Sequence, residues 1–222
     1  MERPDIYKLI PQKYLKDPYI NPNKRLPIKH PFRLCIIGGS GMGKTSSLIW
    51  LIEQSKAFHK IYLYAKKLDE PLYLYLIDEW QNRSQKCGKT LIEYSESLND
   101  AVTLQEVDES IQNLIVFDDM IVEKNLKQVE ELFIRGRKSN CSIVFISQSY
   151  FAIPQIIRQN SNYFLLTRGL SGKNLINIAA DHVGSVDNEE FRNTYRKFTK
   201  DGDLMLIDTV QSKLYKNSGL EA

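Results

Sequence analysis

Residues 38–45 read Gly38-Gly39-Ser40-Gly41-Met42-Gly43-Lys44-Thr45, which matches the phosphate-binding pattern G-x-x-x-x-G-K-[ST]. An apolar run over residues 34–37 precedes this stretch, and residues 46–54 follow it with the spacing of an amphipathic helix. Glycines let backbone N–H groups approach a phosphate closely, and the start of a helix adds the positive end of its dipole. We therefore predict a strand, a loop and a helix that bind a nucleoside triphosphate, with Lys44 at the β- and γ-phosphates and the Thr45 hydroxyl on Mg²⁺.

The rest of the chain alternates apolar strands with amphipathic helices. The predicted strands cover residues 33–37, 61–65, 91–94, 114–117, 142–146, 163–166, 204–209 and 213–216. The predicted helices cover residues 46–54, 71–82, 126–133, 173–182 and 189–198. This alternation is typical of an α/β fold with a mostly parallel sheet, helices on both faces and, here, a C-terminal β-hairpin.

The bulk composition is that of one globular domain with a proline-rich start. Six of the eight prolines fall within residues 1–31, so we predict an extended N-terminal arm there and a P-loop ATPase domain over residues 32–222. The net charge of +3 permits a polyanionic partner without demonstrating one. Neither a signal-type segment nor an apolar run of membrane-spanning length occurs, so we expect a soluble, intracellular protein with no membrane-spanning segment.

Two acids follow the apolar run over residues 114–117. Parallel strands deliver their C-terminal residues to the sheet edge at which a phosphate loop lies, so Asp118 and Asp119 should reach the nucleotide. We expect Asp118 to hold the Mg²⁺ shell and Asp119 to orient or deprotonate an attacking water. The alternative is a turn or a helix cap after the strand, since Asp favours both.

A polar amide follows the next apolar strand. Gln148 should touch the γ-phosphate or the water and act as a sensor; an ordinary loop glutamine is the alternative. An acid pair on one strand and a sensor on the next fit ATPases with an additional strand between the phosphate-loop strand and the acid strand. No N-K-x-D motif for guanine selection occurs, which favours ATP over GTP.

Arginines lie between the acid strand and the sensor strand. Arg135 and Arg137 follow the predicted helix over residues 126–133, where cations complement the negative end of the helix dipole. The functional alternative is an arginine finger that reaches the γ-phosphate of a neighbouring subunit. The residues alone leave both interpretations open.

Four segments together resemble a known family. These are Gly-Gly-Ser-Gly-Met-Gly-Lys-Thr (38–45), Ile-Val-Phe-Asp-Asp-Met (115–120), Arg-Gly-Arg-Lys-Ser-Asn (135–140) and Ser-Gln-Ser-Tyr-Phe (147–151). They resemble the DNA-packaging ATPases of poxviruses, other large DNA viruses and virophages, within the FtsK–HerA group of ring-forming DNA translocases. The resemblance extends from about residue 32 to residue 216.

This resemblance implies a RecA-like core that forms a homo-oligomeric ring, a pentamer or a hexamer, and pumps double-stranded DNA into a preformed capsid. It implies ATP and Mg²⁺ as cofactors, a viral capsid or portal-vertex component as partner, and the virion or the viral factory in the host cytoplasm as location. Carried over by position, Lys44 and Thr45 bind phosphate and Mg²⁺, and Asp118 supports the metal. Asp119 is the catalytic acid, Gln148 the sensor, and Arg135 or Arg137 the trans-acting finger.

Two other functions remain open alongside a DNA-translocating motor. A nucleotide phosphotransferase would use the same phosphate loop, although a lid rich in arginine is not evident in the sequence. A nucleotide-dependent assembly switch would bind the triphosphate without hydrolysing it. The candidates for DNA contact in the motor are cations that a solvated helix face explains equally well, namely Arg168, Lys173, Arg192, Arg196 and Lys197.

Overall fold

The computed structural model describes residue 11 and residues 26–120, 126–184 and 187–216. Eight strands form one sheet: β1 (Arg33–Ile37), β2 (Lys60–Ala65), β3 (Ile92–Ser95), β4 (Asn113–Asp118), β5 (Cys141–Ser147), β6 (Tyr163–Leu166), β7 (Met205–Asp208) and β8 (Lys213–Lys216). Their order across the sheet is β3-β2-β4-β5-β1-β6-β7-β8.

The sheet is mostly parallel and ends in an antiparallel hairpin, as predicted. All pairings from β3 to β6 are parallel, because each connection carries the chain back to the opposite edge before the next strand begins. Strand β7 is antiparallel to both β6 and β8. The last two strands therefore close the sheet as the predicted β-hairpin.

Helices cover both faces of the sheet. They are α1 (Lys44–Ser55), α2 (Pro71–Cys87), α3 (Leu126–Arg135), α4 (Gln155–Asn160), α5 (Gly172–His182) and α6 (Asn188–Phe198). The short helix α4 was not predicted, because six residues are too few to show helical periodicity. In the part of the chain that the structure describes, no helix combines the length and apolar character needed to cross a bilayer.

Alternate residues of each strand feed two separate cores. In β1, Cys35 and Ile37 pack on the face covered by α3, α4, α5 and α6, whereas Leu34 and Ile36 pack on the face covered by α1 and α2. This alternation follows from the two-residue period of a strand, and it explains why the buried strands are continuously apolar in sequence.

Strand β5 lies between the phosphate-loop strand β1 and the acid strand β4. This arrangement confirms the additional strand that the acid pair and the glutamine led us to expect. Because the three strands are parallel, the segments that follow them emerge at the same carboxyl edge of the sheet. That edge carries the candidate site.

The predicted N-terminal arm lies mostly outside the described residues. At its C-terminal end, Leu26 and Ile28 are buried in the core that also contains α1 and α2. The last residues of the predicted arm thus contribute to the core, as Phe32 does immediately after them. The division of the chain at residue 31 remains a prediction.

Candidate nucleotide site

The phosphate loop joins the end of β1 to the start of α1. Gly41 and Gly43 have φ angles of 68° and 83°, in the left-handed region that a side chain strongly disfavours. Gly43 is the N-cap residue of α1 and has no side chain with which to cap it. The first N–H groups of α1 are therefore left for a ligand, which is the usual basis of anion binding at a helix start.

A neighbouring connection holds the first half of the loop in place. The N–H of Gly39 donates to the carbonyl of Arg168 at 3.0 Å, in the segment that joins β6 to α5. A Cβ atom on Gly38 would lie 1.7 Å from Oγ1 of Thr167, so no larger residue fits there without displacing that connection. Gly38 is thus required by close packing rather than by its φ angle.

Lys44 folds back over the loop. Its Nζ donates to the carbonyl of Gly39 at 2.9 Å. Burial lowers the pKa of Lys44, while the negative charges of Asp118, Asp119 and Glu70 act in the opposite direction. The ammonium group is therefore held between the loop and the acids, where it can attract the phosphates of a nucleotide.

Asp118 ends β4 and receives a hydrogen bond from a residue that the sequence analysis missed. The hydroxyl of Tyr73, in α2, donates to Oδ2 of Asp118, and Tyr73 is also hydrogen-bonded to Thr45. Burial raises the pKa of Asp118, and the Tyr73 hydrogen bond and the charge of Lys44 act to lower it. Tyr73 thus connects the two residues predicted to hold Mg²⁺.

Asp119 and Gln148 lie on the same cavity as the phosphate loop. Asp119 has a φ angle of 54°, and its N–H donates to the carbonyl of Ile146 in β5 at 3.3 Å. A left-handed aspartate directly after a buried strand is a strained conformation of the kind found at functional sites. Gln148 follows β5 directly and is exposed.

The cavity has a volume of about 580 Å³, in the range of small-molecule sites. It is lined by Ser40, Gly41, Met42, Gly43, Lys44, Thr45, Ser46, Ala65, Lys66, Lys67, Glu70, Leu72, Tyr73, Asp118, Asp119, Ser147 and Gln148. The structure therefore brings the phosphate loop, both acids and the glutamine together. Gly38 and Gly39 are not part of the lining and support the loop from beneath.

Arg135 and Arg137 are not in this cavity. They precede β5 and therefore lie at the edge where the parallel strands begin. Arg33, the first residue of β1, marks the same edge, because its guanidinium donates to the carbonyl of Phe133, near the end of α3, at 3.2 Å. The length of β5 separates this edge from the phosphate loop, a distance of about 20 Å. Arg135 is exposed and forms an ion pair with Glu131, one turn earlier in α3, at 2.9 Å.

Sequence reasoning missed three charged residues of the cavity as well as Tyr73. Lys66 and Lys67 follow β2 and Glu70 precedes α2, so all three lie at the carboxyl edge. The edge rule that located Asp118 could have found them. Tyr73 carried no such signal, because its spacing with Leu76 and Trp80 is that of a buried helix face.

The residues of the cavity fit a magnesium-bound triphosphate. The Thr45 hydroxyl and the Asp118 carboxylate are oxygen ligands of the type that Mg²⁺ prefers. Lys44, Lys66 and Lys67 place three positive charges on the wall of the same cavity, which suits an anionic ligand. Two acidic residues, Glu70 and Asp119, line the same cavity.

Solved structures share this fold. The genome packaging NTPase B204 of Sulfolobus turreted icosahedral virus 2, in complex with ATP-gammaS, superposes with a TM-score of 0.59 at 10% identity, covering 85% of this chain and 97% of that chain. B204, the DNA-packaging ATPase of Sulfolobus turreted icosahedral virus, gives a TM-score of 0.55 at 13% identity over the same shares of the two chains. At these identities the similarity establishes the fold alone.

Sequence relatives come from poxviruses. The DNA packaging protein OPG160 of variola virus is 29% identical over 148 residues, which is 62% of this chain and 53% of the relative. The OPG160 of monkeypox virus is 30% identical over 148 residues, 48% of its length. The chain thus spans about half the length of the curated relatives it matches. The sequence model of the poxvirus A32 protein matches residues 23–192, most of the chain, and this protein therefore belongs to that family.

Proposed function

We propose that this protein is an ATPase that moves double-stranded viral DNA into a preformed capsid. The observation that carries the proposal is the single cavity in which the phosphate loop, Asp118, Asp119 and Gln148 meet. The names of the poxvirus relatives and of the solved structures with this fold support DNA packaging as its purpose. Such a protein would act in the viral factory or the virion, with a capsid component as a partner.

In this proposal the loop and Lys44 bind the phosphates of ATP, and Thr45 and Asp118 hold Mg²⁺. When bound, Mg²⁺ neutralises charge on the β- and γ-phosphates. Asp119 orients the attacking water and accepts its proton as the oxygen attacks the γ-phosphorus. The bond to the β-phosphate oxygen then breaks, and ADP and phosphate leave. Gln148 contacts the γ-phosphate or the water and reports which of the two states is present.

A ring would complete the site with an arginine from the next subunit. Arg135 and Arg137 lie at the sheet edge opposite to their own cavity, which excludes them from acting there in cis. A head-to-tail ring joins two different surfaces of each subunit, so the amino edge of one subunit can lie beside the carboxyl edge of its neighbour. The geometry is therefore compatible with a finger in trans, and among the described residues no acidic side chain lies within ion-pair distance of Arg137.

Displacement of a third strand from a DNA triplex tests the proposal. A translocase that tracks along the duplex removes the third strand only when ATP is present. We expect displacement by the wild-type protein and none by Lys44→Ala, which loses the phosphate contact, whereas Lys89→Ala removes an exposed charge far from the cavity and retains the activity. Triplex that survives under conditions in which the protein hydrolyses ATP would contradict translocation. Transfer of phosphate to an added nucleoside monophosphate would instead identify a phosphotransferase.

A further inference from the structure

The chain contains a long stretch with no acidic side chain. Residues 132–180 carry six Lys and Arg residues and not one Asp or Glu. The whole chain has 27 acidic residues in 222, so a stretch of this length at average frequency would hold about six. The stretch includes β5, α4, β6 and most of α5, together with the two connections that flank the phosphate loop at the carboxyl edge.

Two exposed cations of this stretch lie in the segment that follows β6 and begins α5, at the carboxyl edge of the sheet. Arg168 is in the connection whose carbonyl holds Gly39, and Lys173 is in the first turn of α5. Among the described residues, neither has an acidic side chain within ion-pair distance. Neither lines the nucleotide cavity, so their charges are available to a different anionic ligand.

An exposed aromatic ring accompanies the cations. Phe151 is 45% exposed, which is unusual for a phenylalanine in this otherwise well-buried fold. The Nζ of Lys173 lies 5.1 Å from the centre of its ring. We call Phe151, Arg168 and Lys173 the basic surface.

The basic surface is joined to the segment that contains Gln148. Oδ1 of the buried Asn174 accepts hydrogen bonds from the N–H of Tyr150 at 3.0 Å and from Oγ of Ser149 at 3.2 Å. Asn174 is the neighbour of Lys173, and Ser149 is the neighbour of Gln148. The first turn of α5 and the segment after β5 therefore form one hydrogen-bonded unit that contacts the nucleotide cavity on one side and carries the basic surface on the other.

We propose that the basic surface binds the phosphate backbone of double-stranded DNA, and that Asn174 couples DNA binding to the position of Gln148. This inference rests on the proposed function and adds to it the residues that contact the partner. Cations suit a backbone contact without base recognition, which a packaging motor needs because it must accept any sequence. The Phe151 ring contributes by holding the Lys173 ammonium group in place. Arg196 and Lys197 fit this role less well, because they lie in the last turn of α6 and complement the helix dipole there.

Fluorescence anisotropy with two duplexes of unrelated sequence tests the inference as a function of salt. We expect Lys173→Ala to weaken binding several-fold for both duplexes and to lower the slope of log K against log salt by about one. Lys173→Arg keeps the charge and should keep the slope. Phe151→Ala should weaken binding without changing the slope, since it removes no charge. The matched control is Lys86→Ala, which removes an exposed lysine near the end of α2, on the other face of the sheet.

The outcomes separate this inference from the function on which it rests. ATP hydrolysis without DNA should be the same in Lys173→Ala and the wild type, because Lys173 is outside the nucleotide cavity. One contrary outcome is that Lys173→Ala and Phe151→Ala bind DNA as well as the wild type does and with the wild-type salt slope. That result would refute DNA binding by the basic surface and leave the proposed motor function intact. If the wild type hydrolyses ATP but binds neither duplex, the proposed function fails and this inference fails with it.

Discussion

At the scale of single residues, the half of the cavity that we propose to bind Mg²⁺ depends on a tyrosine. Tyr73 is almost completely buried, and its hydroxyl is hydrogen-bonded to both Asp118 and Thr45. A carboxylate shielded from water is costly unless it accepts hydrogen bonds, and Tyr73 donates the side-chain hydrogen bond that Asp118 receives among the described residues. We therefore expect Tyr73 to fix the position of Asp118 before any nucleotide binds.

Tyr73→Phe should lower the free energy of unfolding by about 2 kcal/mol, because it leaves the part-buried Asp118 carboxylate without this donor. The matched control is Tyr75→Phe, which removes a hydroxyl two residues later in the same helix, where the ring is 50% exposed. Urea unfolding of the two variants measures the difference. Equal stabilities would show that the Tyr73 hydrogen bond contributes nothing to the folded state.

At the scale of elements, the sequence predicts most of the central sheet because apolar runs and parallel topology leave few alternatives. Strand β6 and the phosphate-loop strand β1 have the predicted bounds, and β5 lies in the predicted position between the acid strand and the loop strand. The sequence could not reveal Tyr73, whose helical spacing is that of an ordinary core residue. It also placed Arg135 and Arg137 between two strands, and the predicted parallel direction of β5 already implied that they lie at the edge opposite to the phosphate loop.

The link between α5 and the segment after β5 gives a prediction at the same scale. Asn174→Ala removes the acceptor for the N–H of Tyr150 and for Oγ of Ser149, so residues 148–151 should exchange amide hydrogens faster. The control Asn177→Ala removes an exposed amide of the same helix, whose Nδ2 bonds only the carbonyl of Lys173 at 2.9 Å. Hydrogen exchange followed by mass spectrometry measures both. Unchanged protection of residues 148–151 in Asn174→Ala would exclude the coupling described above.

At the scale of the whole molecule, the buried His30 and the half-buried His182 tie the free energy of unfolding to pH. Burial lowers the pKa of His30 and of His182 to about 4. In the unfolded chain a histidine titrates at about 6.5, so between these values the unfolded state binds protons that the folded state does not. The protein should therefore lose stability as the pH falls from 6.5 towards 4, and these two residues should have no effect above that range.

Each histidine should change the free energy of unfolding by at most about 1.4 kcal/mol per pH unit. His30 packs against the rings of Phe32 and Phe58 at 5.0 and 5.2 Å, so His30→Phe keeps an aromatic ring in place and removes the titration. Chemical unfolding over this pH range should give a shallower slope for the variant than for the wild type. Parallel curves would mean that His30 does not carry the effect.

An active site shared between neighbouring subunits would change the activity of mixed assemblies. If Arg137 completes the neighbour's cavity, an inactive Arg137→Ala subunit should reduce the hydrolysis of wild-type subunits in mixed assemblies by more than its share. The activity is measured across mixing ratios, with Lys138→Ala as a control for the adjacent cation. A strictly linear dependence on the fraction of wild type would remove Arg137 from the catalytic site.

The central claim is that this cavity hydrolyses ATP in response to DNA. The most direct test is the rate of phosphate release at fixed ATP and Mg²⁺ while double-stranded DNA is added, for the wild type and for Asp118→Ala. We predict a rate that rises with DNA to a plateau, falls with increasing salt and is lost in Asp118→Ala. A wild-type rate that stays constant over the whole range of added DNA would contradict the claim.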